Sequence, residues 1–267
     1  MRMIAVFEKS ERIRHIGHLD IQRFVQRALR RSELPVAYSK GFNPHILVTF
    51  ASALSSGACG NREIMDVTMA EEVSPAEFLA RMNRAMPPEM QLSEARCVDD
   101  RHPALMASLK AACYDLLIRD PAEAASLVAA IPNMLSRETI PALRKTKSGL
   151  KEVDIKPMIY ALRGEGQHIF CTLALTERET CRPQMLLEAL AREAGLTGDT
   201  DAQEESSAPR EVPSEQNAHL PQTDSFGNPV SAAAAAPDRN GPVRMLVIRT
   251  ALLGEDENGV FQPLEKL

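Results

Sequence analysis

The apolar residues of the first 98 positions switch repeatedly between a strand period and a helix period, and the order of those switches restricts the chain to few architectures. Met3 to Glu8 reads as a strand. Leu19 to Arg31 reads as a helix, because Ile21, Phe24, Val25, Ala28 and Leu29 fall within an arc of about 140° at a period of 3.6 residues. Val36 to Ser39 and Ile46 to Ala51 read as short strands, and Glu63 to Met69 as another. Ser74-Pro75-x-Glu77 opens a second helix with a cap, a proline at the first position and an acid at the third, and Gln91 to Val98 closes the unit as a strand. A βαβ unit, a hairpin and an αβ unit in this order predict an α+β, ferredoxin-like (split βαβ) domain over residues 1–98.

The second half repeats the rhythm. Ala111 to Arg119, Glu138 to Lys145, Val153 to Leu162 and His168 to Thr176 read as strands, with helices over Pro121 to Met134 and Pro183 to Ala194. A last strand, Val243 to Ala251, follows a stretch of different composition. Residues 197–241 hold eight acids against two basic residues, are rich in Ala, Ser, Pro and Gln, and have one aromatic, Phe226. Such a segment cannot bury enough apolar surface to offset its ordering entropy, so a disordered acidic insertion is expected there. The expected organisation is two tandem ferredoxin-like domains, residues 1–98 and residues 99–196 plus 242–267, with the insertion before the last strand.

That insertion carries the chain's negative charge. The net charge of −5 hides a basic beginning, where nine Lys and Arg face four acids in the first 45 residues. An argument from the average against anionic partners therefore fails. Five widely spaced cysteines, Cys59, Cys97, Cys113, Cys171 and Cys181, with no Cys-x-x-Cys, indicate neither a disulfide framework nor a cysteine zinc site. A reducing cytoplasm fits this usage, and no apolar run approaches the ~20 residues of a membrane span.

Candidate functional residues concentrate before position 46. On the first helix Arg23, Arg27, Arg30 and Arg31 lie opposite the apolar arc, where guanidinium forks suit phosphate oxygens and stack on bases. A solvated face with Asp20 paired to Arg23 or Arg27 is the plain alternative. Tyr38, Lys40 and Phe42 sit in an irregular loop whose aromatics either stack on bases or plug the core. His15, His18 and His45, with Asp20, Glu63 and Asp66, supply ligand or acid/base types, and His18, Asp20 and His45 are the catalytic candidates. Caps and turns use the same residues, and no metal site is assigned. Arg144, Lys145, Lys147 and Lys151 crowd a turn at Gly149 and form a second candidate anion contact or a soluble hairpin tip.

The residues His18-Leu19-Asp20, Arg23, Arg27-Ala28-Leu29-Arg30-Arg31, Ala37-Tyr38-Ser39-x-Gly41-Phe42-Asn43-Pro44-His45, Leu54, Gly57, Glu63 and Asp66 resemble a radical-SAM-associated bacterial family of unknown function. The resemblance runs to about residue 196 and takes in Lys147-Ser148-Gly149-x-Lys151-Glu152-x-Asp154-Ile155-x-Pro157 and Arg182-Pro183. Gly17 stands where the motif has Ser, and the acidic insertion is not a family requirement. Members of that family are fused to, or encoded beside, a B12-binding radical SAM protein, which the resemblance implies as partner. The chain lacks the three closely spaced cysteines of a radical SAM cluster, a phosphate loop and a third glycine after Gly164-Glu165-Gly166, so no cofactor is assigned. The expectation is a cytoplasmic accessory protein that binds RNA, tRNA or rRNA, for modification by the radical SAM partner. The alternatives are an RNA-acting enzyme using His18 or His45 as acid/base, and a pure docking module for the same partner.

Overall fold

The computed structural model describes residues 1–146, 149–196 and 243–267; Lys147, the side chain of Lys145 and the expected insertion 197–241 lie outside the described residues. The described part is α+β, with strands β1 (Arg2–Lys9), β2 (Val48–Phe50), β3 (Cys59–Thr68), β4 (Leu92–Val98), β5 (Ala111–Ile118), β6 (Pro141–Thr146), β7 (Gly149–Asp154), β8 (Ile159–Glu165), β9 (His168–Ala174), β10 (Met245–Glu255) and β11 (Phe261–Pro263). Helices are α1 (His18–Arg31), α2 (Pro75–Ala85), α3 (Leu105–Ser108), α4 (Pro121–Ser136) and α5 (Pro183–Glu193). Nine strands form one sheet along the path β4-β1-β3-β10-β5-β9-β8, with β2 on β3 and β11 on β10, while β6 and β7 make a separate ribbon.

Helix starts follow local chemistry. Ser74 Oγ accepts from the Glu77 N–H at 3.2 Å to open α2, and Asp120 Oδ1 accepts from Ala122 and Glu123 N–H at 2.8 and 3.0 Å to open α4. At α1 the capping position is Gly17, which has no side chain to offer, and Asp20 in the first turn supplies the negative charge the helix dipole favours.

Two apolar layers anchor the helices. Met3, Ala5, Phe7, Met65 and Val67 pack with Ile21, Val25 and Leu29 of α1 and Phe78 and Met82 of α2. Leu116, Ile118, Ile169, Cys171 and Leu173 pack with Leu127 and Ile131 of α4 and Leu186 and Leu190 of α5. Gly164 on β8 lets α4 approach closely: a Cβ there would lie 2.5 Å from Val128. Cys113, Asp115, Leu117, His168, Phe170 and Thr172 alternate to the opposite face and stay half-exposed.

All neighbouring strands in the sheet run antiparallel except β10 and β3, which are parallel and paired only at Ile248–Cys59 and Arg249–Gly60. This two-residue seam joins the halves. Each half orders its strands alike, β4-β1-β3-β2 and β10-β5-β9-β8.

Some expected strands differ. Val153 to Leu162 is not one strand: Asp154 Oδ1 accepts from the Ile140 and Lys156 N–H groups at 2.8 and 3.0 Å, and a 3₁₀ turn over Lys156–Met158 carries Pro157 between β7 and β8. Val36 to Ser39 forms only isolated bridges, Val36 with Met69 and Tyr38 with Ile46. Proline and the tight loop at Gly41 leave too few consecutive partners for a ladder there.

Candidate nucleic-acid interface

The arginines of α1 are exposed but not equivalent. Arg23 pairs with Asp20 at 3.3 Å with both side chains about two-thirds exposed, a contact worth little in water. Arg31 donates to the Ala85 carbonyl at 2.7 Å and lies 5.8 Å from the centre of the Phe24 ring, so it ties α1 to the end of α2. Arg27 and Arg30 are exposed and make no hydrogen bond or ion pair among the described residues. An open cleft of about 760 Å³ between the two helix ends is lined by Arg31, Ser32, Glu33, Arg81, Arg84 and Ala85. Arg81 is committed to the carbonyls of Ser32 and Glu33, which satisfies acceptors that a helix end leaves open.

Beyond α1 the chain turns into a hairpin from Tyr38 to Ile46. Ser39 N–H donates to the His45 carbonyl at 2.8 Å, His45 N–H donates to Ser39 Oγ at 3.1 Å, and Ser39 Oγ meets His45 Nδ1 at 2.8 Å. Gly41 takes φ of +130°, which L side chains rarely adopt. The result carries Phe42 wholly into solvent, at 109% relative exposure, and leaves Tyr38 at 48%. Phe42 does not plug the core.

The remaining motif residues separate. Asp66 binds Arg2 and makes no hydrogen bond to His15, His18 or His45 among the described residues. Asp20 pairs with Arg23 and His45 with Ser39; neither contacts His18, so the three catalytic candidates make no shared hydrogen-bonded constellation among the described residues. His15 is exposed. No group of three or more His, Cys, Asp and Glu able to hold a metal ion occurs among the described residues.

His18 instead packs edge-on against Phe50, ring centres 5.3 Å apart, beside a charged seam. Burial lowers its pKa from 6.5, with Arg249 and Lys9 acting in the same direction and Glu63 against them. Arg249, 2% exposed, donates from Nε to Glu63 Oε1 at 2.8 Å and from Nη2 to Glu63 Oε2, forming a fork. Its Nη1 reaches Ser52 Oγ and the Ala53 carbonyl, both at 3.3 Å. Burial opposes the guanidinium charge, yet Glu63 and Tyr114 hold its pKa up. Lys9, also 2% exposed, donates to the Arg14 carbonyl at 2.8 Å, and burial lowers its pKa. Gly60 leaves room for this fork, since a Cβ there would lie 2.4 Å from Glu63 Oε1.

On the ribbon, Arg144 stands across from Lys151 on the face of Ala142 and Val153, while Leu143 and Leu150 are exposed on the other. Lys145 pairs with Leu150 in the backbone register.

Sequence reasoning missed Lys9 and Arg249. Arg249 is a lone cation inside an apolar strand, which is the readable sign of a buried, paired charge, whereas Lys9 ends β1 next to Glu8 and carries no such sign. No helix among the described residues is long and apolar enough to cross a membrane. A search of curated proteins finds no match to the chain. The family model described as "Uncharacterized protein conserved in bacteria (DUF2344)" matches residues 2–183, from β1 through the ribbon to the first residue of α5. With its motif helix, hairpin and first seam strand all inside that match, the chain belongs to this family of uncharacterized conserved bacterial proteins.

Proposed function

We propose that the protein is a cytoplasmic accessory that binds RNA, tRNA or rRNA, and presents it to a B12-binding radical SAM enzyme. Its architecture is two ferredoxin-like units, residues 1–98 and residues 99–196 plus 242–267, joined at the β3–β10 seam. The observation that carries the RNA reading is Phe42, a fully exposed aromatic at a hairpin tip beside exposed Lys40. Folding has no use for an aromatic ring in water, whereas base stacking does. Arg27 and Arg30 add phosphate contacts that no internal acid neutralises, with Arg23, Arg144 and Lys151 as further cations. The radical SAM partnership rests on the resemblance of the opening motif. The neutral form of His18 favoured by its surroundings, and its place against Phe50, suit a positioning role in the seam better than proton transfer.

Arg27→Glu combined with Arg30→Glu tests the RNA reading. Both side chains are exposed, so the melting temperature holds while RNA affinity collapses. Neutralising two phosphate contacts also makes the log–log salt slope shallower by about 1.4 for a single strand. Unchanged affinity in the double variant refutes the assignment. A pull-down of the tagged protein from native cells, with and without ribonuclease, tests the partner: recovery of a radical SAM protein supports it, and its absence in both arms refutes it.

A further inference from the structure

Among the described residues, the half of the sheet formed by β8, β9, β5 and β10 has its α-helices on one face only. On the other face the register places Arg163, Phe170, Asp115 and Ile248 in one row across the four strands, with Glu165, His168, Leu117 and Leu246 in the next. Most of these side chains are half-exposed or exposed.

Three planar groups are held together there. The Arg163 guanidinium carbon lies 4.0 Å from the centre of the Phe170 ring. The His168 ring is parallel to Phe170 within 10°, with centres 5.8 Å apart. His168 Nδ1 donates to Asp115 Oδ1 at 2.8 Å and lies 3.1 Å from Oδ2. Because the carboxylate accepts the Nδ1–H hydrogen bond, the ring is oriented and Nε2 is left to meet a ligand. Asp115 is 16% exposed and His168 42%, so the acid is the fixed base of the pair and the imidazole its accessible end.

We propose that this face is a base-stacking platform for single-stranded RNA, a second contact surface that rests on the RNA reading above. Electrostatics favour bases over phosphates here: Arg163 is paired with Glu165 at 3.2 Å and the Asp115 carboxylate stands beside them, so the patch carries no surplus positive charge. What it offers is flat surface, a guanidinium plane on a ring, and one oriented hydrogen-bonding nitrogen. Bases stack on arginine guanidinium planes as well as on aromatic rings, and here the guanidinium is laid on the ring of Phe170, which stands on the inner strand β9. One base stacks on the outer face of the exposed Arg163 guanidinium that the Phe170 ring backs, and His168 Nε2 meets the edge of the base or its neighbour.

The chain has no tryptophan, so Phe170→Trp installs a single reporter whose emission a stacked base quenches. The probe is a single-stranded RNA of about 12 nucleotides and mixed sequence, followed by anisotropy and by that emission. Phe170→Ala weakens binding about tenfold and leaves the salt slope unchanged, since stacking releases no counterion. Phe170→Trp retains affinity and is quenched on titration. Wild-type affinity in Phe170→Ala, or unmoved emission from Phe170→Trp while anisotropy reports binding, overturns the platform and leaves the arginine helix standing. An RNA that the wild-type protein fails to bind overturns both.

Discussion

Arg249→Met removes the cation of the seam and keeps most of the stem. Glu63, only 5% exposed, then loses the partner of its carboxylate fork and keeps the weaker through-space attraction of Lys9, and Ser52 Oγ and the Ala53 carbonyl lose a donor. Stripping one partner from a buried pair costs about 3–5 kcal/mol, because the surviving charge keeps its desolvation penalty without its compensation. At about 2–4 °C per kcal/mol for a protein of this size, the apparent melting temperature falls by roughly 6–20 °C. Replacing both partners, Arg249→Met with Glu63→Leu, removes the orphan and recovers most of that loss. The assay is a double-mutant cycle by thermal melting, with hydrogen exchange read across residues 59–63 and 245–249. Only two residue pairs join β3 to β10, so exchange in both segments accelerates in the single variant. A fall of under about 2 °C, or a double variant whose loss equals the sum of the singles, refutes the seam as a coupled ion pair.

Gly60→Ala attacks the same fork from the backbone: with Glu63 side-chain atoms 2.4 to 2.8 Å from the new Cβ, the carboxylate must leave Arg249, and thermal melting drops by several degrees. Asp120→Ala strips two donors' acceptor from the start of α4 and costs about 1 kcal/mol, while Asp120→Asn, which still caps, loses a fraction of that in urea melts. His18 has a folded pKa below its unfolded value of 6.5, so the unfolded state binds the extra proton first and stability falls as pH drops below that value. His18→Gln therefore flattens the acid limb of stability against pH, and an unchanged limb contradicts the burial of His18.

The elements legible in the sequence were those whose signals are local. The 3.6-residue period of Ile21, Val25, Ala28 and Leu29 fixes which face of α1 is buried, and Ser74-Pro75-x-Glu77 marks the start of α2. β7 and β8 read as one strand because the force that separates them is not local: Asp154 reaches back to the Ile140 N–H, closing a corner that periodicity does not encode. The Arg249–Glu63 pair spans 186 positions, so its existence was visible only as an odd cation in an apolar strand. Phe170 and His168 sit in an alternating strand whose partners Arg163 and Asp115 belong to two others, and only the register brings the four together.

What folding consumes and what it leaves over separates the motif residues more sharply than their sequence spacing. Glu63 is spent on Arg249, Asp66 on Arg2, Arg31 on the end of α2, and His18 packs against Phe50. Each has a structural reason to be the residue it is. Arg27, Arg30 and Phe42 have none: exposed and without internal partners among the described residues, they contribute little to stability, and Phe42 contributes an unfavourable hydration. Residues that stability does not account for are where a ligand is expected. The acidic stretch 197–241 carries six net negative charges, leaving the rest of the chain at one positive, so the net charge of −5 is no argument against an anionic ligand at the exposed arginines of α1.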